Sequence, residues 1–130
     1  MRSKLMTMLE ERKDEMIEIR RHLHQYPELS FQEEKTAKYI EDFYKGKDVQ
    51  IDTNVGNGYG IIVTITGGKP GKTIGLRADF DALPITEEAD VPFKSKNEGV
   101  MHACGHDAHT AYLMVLADCL IQLKDEWNGT

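Results

Sequence analysis

The spacing of apolar residues changes from helical to strand-like and back again, and this order limits the possible folds more than any other feature. From residue 4 to about residue 24, apolar residues recur at three-, four- and seven-residue intervals, which predicts an amphipathic helix. Tyr26-Pro27 should end it, because a residue before proline is pushed out of the helical region.

A second helix is predicted from the sequence that follows. Ser30 and Glu33 match the S-x-x-E capping box of a helix N-terminus. The helix should run to about Lys45, and Gly46 should end it by adopting the left-handed conformation that other residues resist. The two helices would then precede a change of period.

Three short, β-branched segments follow, at residues 49–52, 60–66 and 73–79, separated by glycine-rich turns, and they predict three strands. Residues 81 to about 101 contain two proline pairings and a polar run, so we expect irregular backbone lying over a scaffold. A last helix is predicted from about Ala108 to Lys124. Its expected apolar face includes Tyr112, Val115, Leu116, Cys119 and Leu123.

The order of elements predicts a layered α/β domain, with residues 1–130 forming one domain or part of one. With a net charge of −6, neither a nucleic acid nor an anionic membrane is a natural partner. No apolar run of signal or membrane length opens the chain, so a cytoplasmic protein is expected. Cys119 lies among the apolar positions of the last helix and is predicted to be a core residue.

The segment MHACGHDAHT crowds three of the five histidines beside one of the two cysteines. Cys104 and His106 flank Gly105, so a turn can aim a thiolate and an imidazole at one point, as a zinc or manganese site requires. The alternative is a solvated polar loop. His22 and His24, at the end of the first helix, are instead predicted to cap it and face solvent.

The segment LRADFDALP places Asp79 and Asp81 at the end of a predicted strand, where open α/β sheets usually bind ligands. Because side chains alternate along an extended segment, the two carboxylates should point the same way. One could then approach a metal while the other orients a metal-bound histidine or thiolate. Aspartates that merely form a turn are the alternative.

RRHLHQYPELSFQEEKTAKYI, GLRADFDALPI and MHACGHDAHTAYLM together resemble the opening segments of a family of metal-dependent amidohydrolases. This family includes hippurate hydrolase, aminoacylase, N-acetyldiaminopimelate deacetylase and the plant auxin-conjugate hydrolases. The resemblance implies a partial zinc-peptidase-like catalytic domain with helices packed on a mixed sheet. It also implies a separate dimerisation domain, absent here, and a homo-oligomer.

By the same resemblance, two divalent ions, zinc or manganese, share a bridging water. Cys104 and His106 are implied as metal ligands and Asp81 as the catalytic carboxylate that supports the site. Asp79 occupies a position where distant relatives carry a histidine ligand. The implied substrates are N-acyl amino acids or related small amides. The family's Glu-Glu pair, which supplies the general base, matches no residue of this chain.

Members of that family are several times longer, so this chain is expected to be the N-terminal part of a catalytic domain and to be inactive alone. Two hypotheses follow. In one, the chain is part of an N-acyl-amino-acid amidohydrolase. In the other, it is a non-catalytic fragment that binds metal or associates with itself.

Overall fold

The computed structural model describes residues 1–130 and combines four α-helices with one small antiparallel sheet. None of the helices has the length and apolar character that crossing a membrane requires. A single 3-10 turn, Lys124–Glu126, follows the last helix. The elements in chain order are α1 (Arg2–Glu11), α2 (Lys13–Gln25), α3 (Glu34–Tyr44), β1 (Gln50–Val55), β2 (Gly60–Thr64) and α4 (His106–Gln122).

The helix predicted for residues 4–24 is divided into α1 and α2 at Arg12, where φ is −100° and ψ is 15°. The guanidinium of Arg12 contacts Glu15 in the next turn and Asp118 in α4, so the break coincides with a tertiary contact. α2 ends at Gln25, directly before Tyr26-Pro27, as predicted.

The predicted capping box of α3 is wrong. Glu33 is the N-cap residue, and no side chain of the predicted box caps the helix. Instead, the carboxylate of Glu28 accepts the Thr36 N–H at 2.6 Å and the Lys35 N–H at 3.2 Å. A carboxylate satisfies these free N–H groups as well as a serine would, and its charge suits the helix N-terminus. At the other end, Gly46 has the predicted positive φ, +79°.

Only two of the three predicted strands form. β1 and β2 pair in an antiparallel hairpin, with Gln50 opposite Thr64. Residues 73–79 form no strand, and Ile74 and Leu76 are 74% and 59% exposed. An alternating sequence forms a strand only where a neighbouring backbone accepts and donates hydrogen bonds. Residues 67–74 exchange backbone hydrogen bonds with the end of the chain, and the last of these runs from the Ile74 N–H to the Thr130 oxygen. Residues 75–79 make no backbone–backbone hydrogen bond.

The core lies where α4 packs against α2, with Ile40 and Tyr44 of α3 and the apolar side chains of the hairpin packed alongside. Val115 and Cys119 are fully buried, which confirms the prediction that Cys119 is a core residue. Tyr112 is 51% exposed, so its predicted place on the buried face of α4 is wrong. Nine buried residues form the central cluster: Ile19, Leu23, Ile40, Tyr44, Ala111, Met114, Val115, Cys119 and Ile121.

Residues 81–101 are irregular, as predicted, and two isolated backbone bridges fix the ends of this loop. Ala82 pairs with Leu29 beyond the end of α2, and Leu83 pairs with Met101, the first residue of the histidine-rich segment. The loop therefore begins and ends beside the start of α4. This brings the two sequence motifs together.

Candidate metal centre

A hydrogen bond between Asp81 and His106 joins the two motifs. His106 is the first residue of α4, and its Nδ1 lies 2.9 Å from Asp81 Oδ1 and 3.0 Å from the Asp81 carbonyl oxygen. Because both oxygens accept, Nδ1 is the donor, and the lone pair is left on Nε2. Nε2 has no protein partner, so its lone pair is free to coordinate a metal.

Gly105 sets the direction in which His106 leaves the preceding loop. Its φ is +100°, in the left-handed region that favours glycine, and it is the N-cap of α4. Cys104, on its other side, is an exposed free thiol without a hydrogen-bond partner. Cys104 and His106 therefore lie on either side of the turn that Gly105 forms, the first exposed and the second half-buried.

The donor set fits part of a metal centre. The thiol of Cys104 and the imidazole of His106, whose Nδ1 is held by Asp81 and whose Nε2 is free, are chemically suited to a borderline divalent ion. No three histidine, cysteine, aspartate or glutamate side chains converge as ligands, whereas a zinc site takes three or four protein donors. The joint position of Cys104 and His106 as ligands stays a prediction.

Asp79 lies near Asp81 but is engaged differently. Its Oδ1 lies 2.8 Å from Arg77 Nη2, and its backbone oxygen accepts the Thr110 hydroxyl at 2.9 Å. The carboxylate thus neutralises an exposed guanidinium, while the backbone anchors the segment to α4. Metal ligation by Asp79 stays a prediction.

Asp79, Asp81 and His106 share the wall of an open cleft of about 490 Å³. The hairpin turn and the residues just before α3 also line it, and among these Phe31 is 78% exposed. A volume of this size accommodates a small organic molecule. The cleft gives Asp79 and His106 access from solvent, whereas Cys104 is exposed but does not line it.

A buried charge cluster lies behind the site, and the sequence did not predict it. His24 is only 4% exposed, with Nδ1 2.7 Å from Asp107 Oδ2 and Nε2 2.8 Å from Glu87 Oε1. Arg20 Nε lies 2.9 Å from the same Asp107 oxygen. The predicted solvent-facing role of His24 is therefore wrong, because two carboxylates distant in sequence enclose the ring.

The side chain of His22, at the same helix end, makes no hydrogen bond to a helix carbonyl, so the predicted cap is not formed. Its ring stacks on Tyr39, with centroids 4.0 Å apart, and stays half-buried. Burial lowers the pKa of His22. The two histidines thus face opposite environments, although they are only two residues apart. On a helix this spacing turns side chains to different faces.

Burial acts on the pKa of both Glu87 and His102, but it sets the direction of the shift only for His102. Burial by itself would raise the pKa of Glu87, but hydrogen bonds from the Ser95 N–H and His24 outweigh it and lower that pKa. His102 is 5% exposed and neither ring nitrogen has a hydrogen-bond partner. Burial, partly opposed by the charge of Asp107, lowers the pKa of His102 to about 4, so the ring is neutral at pH 7.

Comparison with known proteins supports the sequence resemblance. Residues 75–130 match the profile of peptidase family M20/M25/M40. Over 117 residues the chain is 60% identical to "Putative amidohydrolase YhaA" of Bacillus subtilis, covering 90% of this chain and 29% of that protein. Over 122 residues it is 44% identical to N-acyl-L-amino acid amidohydrolase of Geobacillus stearothermophilus, covering 94% of this chain and 33% of the relative.

Solved structures agree in fold. The structure of "a putative aminohydrolase" from methicillin-resistant Staphylococcus aureus matches with a TM-score of 0.95 and 62% identity, covering 99% of this chain and 34% of the other. Bacillus subtilis YXEP protein, described as a dinuclear metal-binding peptidase from the M20 family, matches with a TM-score of 0.84 and 44% identity, covering 89% and 33%. These matches confirm the predicted α/β class. The chain spans about a third of the length of these relatives, from 29% to 34%.

Proposed function

The chain belongs to the M20 peptidase family, and we propose that it forms the N-terminal part of a catalytic domain that hydrolyses amide bonds with the help of divalent metal. The proposed substrates are N-acyl amino acids or related small amides. One observation carries the proposal. Asp81 holds Nδ1 of His106, so Nε2 is fixed as a free donor at the edge of an open cleft.

In this proposal Cys104 and His106 are metal ligands. Asp81 acts through His106, because a carboxylate that accepts from a ligating imidazole fixes its tautomer and makes it a better donor. Asp79 is a further candidate ligand, provided that it exchanges Arg77 for the metal. Two divalent ions, zinc or manganese, would lower the pKa of a bridging water and polarise the scissile carbonyl.

Cobalt(II) binding to the purified chain tests the proposed ligands. A thiolate-to-cobalt charge-transfer band should appear in the absorption spectrum, together with heat in a calorimetric titration. Cys104→Ala should remove the band, and His106→Ala should weaken binding, because each variant removes one of few donors. His22→Ala is the matched control, since it deletes a half-buried histidine elsewhere. Binding that survives both Cys104→Ala and His106→Ala would contradict the assigned ligands.

Hydrolysis is tested in the longer protein that the relatives represent. Release of amino acid from N-acetyl amino acids should require metal, and it should fall with His106→Ala but not with His22→Ala. We propose a cytoplasmic enzyme that acts on small molecules and binds neither nucleic acid nor an anionic membrane, since the net charge of −6 disfavours both. Metal binding without hydrolysis in that protein would contradict catalysis.

A second candidate is a fragment that associates with itself. The exposure of Ile74 and Leu76 favours it, because the backbone of residues 75–79, directly after the Ile74–Thr130 hydrogen bond, makes no backbone–backbone hydrogen bond. An unpaired extended edge is a template for pairing with another copy. Size-exclusion chromatography should then show a homo-oligomer that Leu76→Lys dissociates. A monomer at all concentrations would count against this candidate and against the predicted homo-oligomer in this chain.

A further inference from the structure

We propose that His24 is a positioning residue for the candidate metal centre. Its ring lies between Glu87, in the irregular loop, and Asp107, in the first turn of α4. By joining these two segments, His24 fixes the relative placement of Asp81 and His106. That the site binds metal rests on the proposed function, whereas the placement of Asp81 and His106 by His24 does not.

The two contacts of His24 require a charged ring. Each ring nitrogen faces a carboxylate oxygen, at 2.7 Å and 2.8 Å, and an ionised carboxylate only accepts hydrogen bonds. Both nitrogens therefore donate, and the ring is an imidazolium. With Arg20 beside Asp107, two positive and two negative charges balance in the buried cluster. Such a cluster is sensitive to removal of one member, because the others stay buried without a partner.

Each carboxylate is anchored a second time, so the positions of both are well defined. The second oxygen of Glu87 accepts the Ser95 N–H at 2.6 Å, which ties two points of the loop together. Asp107 Oδ1 accepts the Ala108 N–H at 2.9 Å, in the first turn of α4. His24 thus connects two segments that are already shaped locally.

The proposed ligand and its partner lie on these same two segments. His106 is adjacent to Asp107, and Asp81 begins the loop that contains Glu87. The bond between His106 and Asp81 crosses from helix to loop, as does the bridge through His24. A shift of the loop by about 1 Å would lengthen the 2.9 Å bond beyond hydrogen-bond range.

Two variants of the full chain separate positioning from stability. His24→Gln removes the imidazolium and leaves two buried carboxylates with only Arg20 for compensation. The double variant His24→Gln with Glu87→Gln restores the charge balance, so it should recover part of the lost stability. Tyr44→Phe is the matched control, because it removes a buried hydrogen bond to Met114 at the far side of the core.

The readout is the tautomer of His106 in the metal-free chain, measured by long-range ¹H–¹⁵N NMR. The unmodified chain and Tyr44→Phe should show a proton on Nδ1, since Asp81 accepts it. In both His24 variants the Nδ1–H form should become the minor form. Cobalt affinity should fall with it by about 10- to 100-fold, the usual effect of losing a ligand's supporting contacts.

The outcomes distinguish the two proposals. If His106 keeps the Nδ1–H tautomer in the folded double variant, His24 does not position the site and this inference is overturned. If the tautomer changes but the unmodified chain gives no thiolate-to-cobalt band, the positioning holds and the proposed metal centre fails. If Tyr44→Phe changes the His106 tautomer as much as the His24 variants do, the change reflects lower stability alone, and the inference is also overturned.

Discussion

Replacing Asp118 by alanine should be among the most destabilising changes outside the site. Asp118 lies on α4 with its side chain 6% exposed, and it receives Arg12 Nη1 at 2.6 Å and Lys47 Nζ at 2.7 Å. Gln122 donates a further bond at 3.1 Å. The variant removes at once the acceptor for two cations, Arg12 between α1 and α2 and Lys47 after α3.

The magnitude follows from the burial of the partners. Breaking a buried ion pair costs about 3–5 kcal/mol when the remaining charge stays buried. The side chains of Arg12 and Lys47 are 20% and 28% exposed, so both recover part of their hydration in the variant. We therefore expect a loss of about 2–4 kcal/mol in the free energy of unfolding.

Urea unfolding followed by circular dichroism measures this loss, with the midpoint shifted and the slope unchanged. The control is Asp42→Ala, which removes an ion pair between Lys38 and Asp42 that is exposed on both sides, and it should leave the midpoint in place. A loss for Asp118→Ala below about 1 kcal/mol, the range of surface pairs, would refute the reasoning.

The same carboxylate predicts a dependence on pH. Burial by itself would raise the pKa of Asp118, but hydrogen bonds from Lys47 and Arg12 outweigh it and hold that pKa below its ordinary value of 3.8. Its contribution is therefore fully present above pH 3.8 and is lost as the pH falls through the lowered folded value. The stability difference between the unmodified chain and Asp118→Ala should shrink only in that acidic range.

Three further predictions concern the core and the site. Tyr44→Phe should cost about 1 kcal/mol in urea unfolding, because the buried hydroxyl donates to the Met114 oxygen at 3.1 Å. Gly105→Ala should cost about 1–3 kcal/mol in the same assay, since φ is +100° and the only atom near the added Cβ, His109 Nε2 at 3.9 Å, gives little packing in return. Asp81→Asn should weaken cobalt affinity by about 10- to 100-fold in calorimetric titration while the urea midpoint changes little.

Features that depend on a few neighbouring residues could be predicted from the sequence. The end of α2 before Tyr26-Pro27 and the positive φ of Gly46 follow from backbone sterics alone. For the contact between Asp81 and His106, the two motifs predict only that one of the two aspartates orients a metal-bound histidine or thiolate. The family resemblance, not the spacing, singles out Asp81.

Features that depend on distant partners could not be predicted this way. Glu28 replaces the capping box of α3 because the turn after Pro27 returns its carboxylate to the helix N-terminus. Residues 73–79 have the alternation of a strand, but alternation does not supply the neighbouring backbone. The sequence predicts a solvent-facing His24, because the carboxylates that enclose its ring are 63 and 83 residues away and no local pattern indicates them.

The two buried charge clusters together specify how α4 lies against α2. Asp107 and Asp118 are eleven residues apart, about three helical turns, so they share one face of α4. Asp118 pairs with Arg12 before the start of α2, whereas Asp107 pairs with His24 at its end.

α2 and α4 are therefore antiparallel, with a charge cluster at each end of their contact. A shift of one helix by one turn along the other would break both clusters. Mutations this far apart normally have additive effects on stability. If the helix register is set jointly, Asp118→Ala and His24→Gln should instead couple by more than about 0.5 kcal/mol in urea unfolding, and simple additivity would show that each end is fixed by itself.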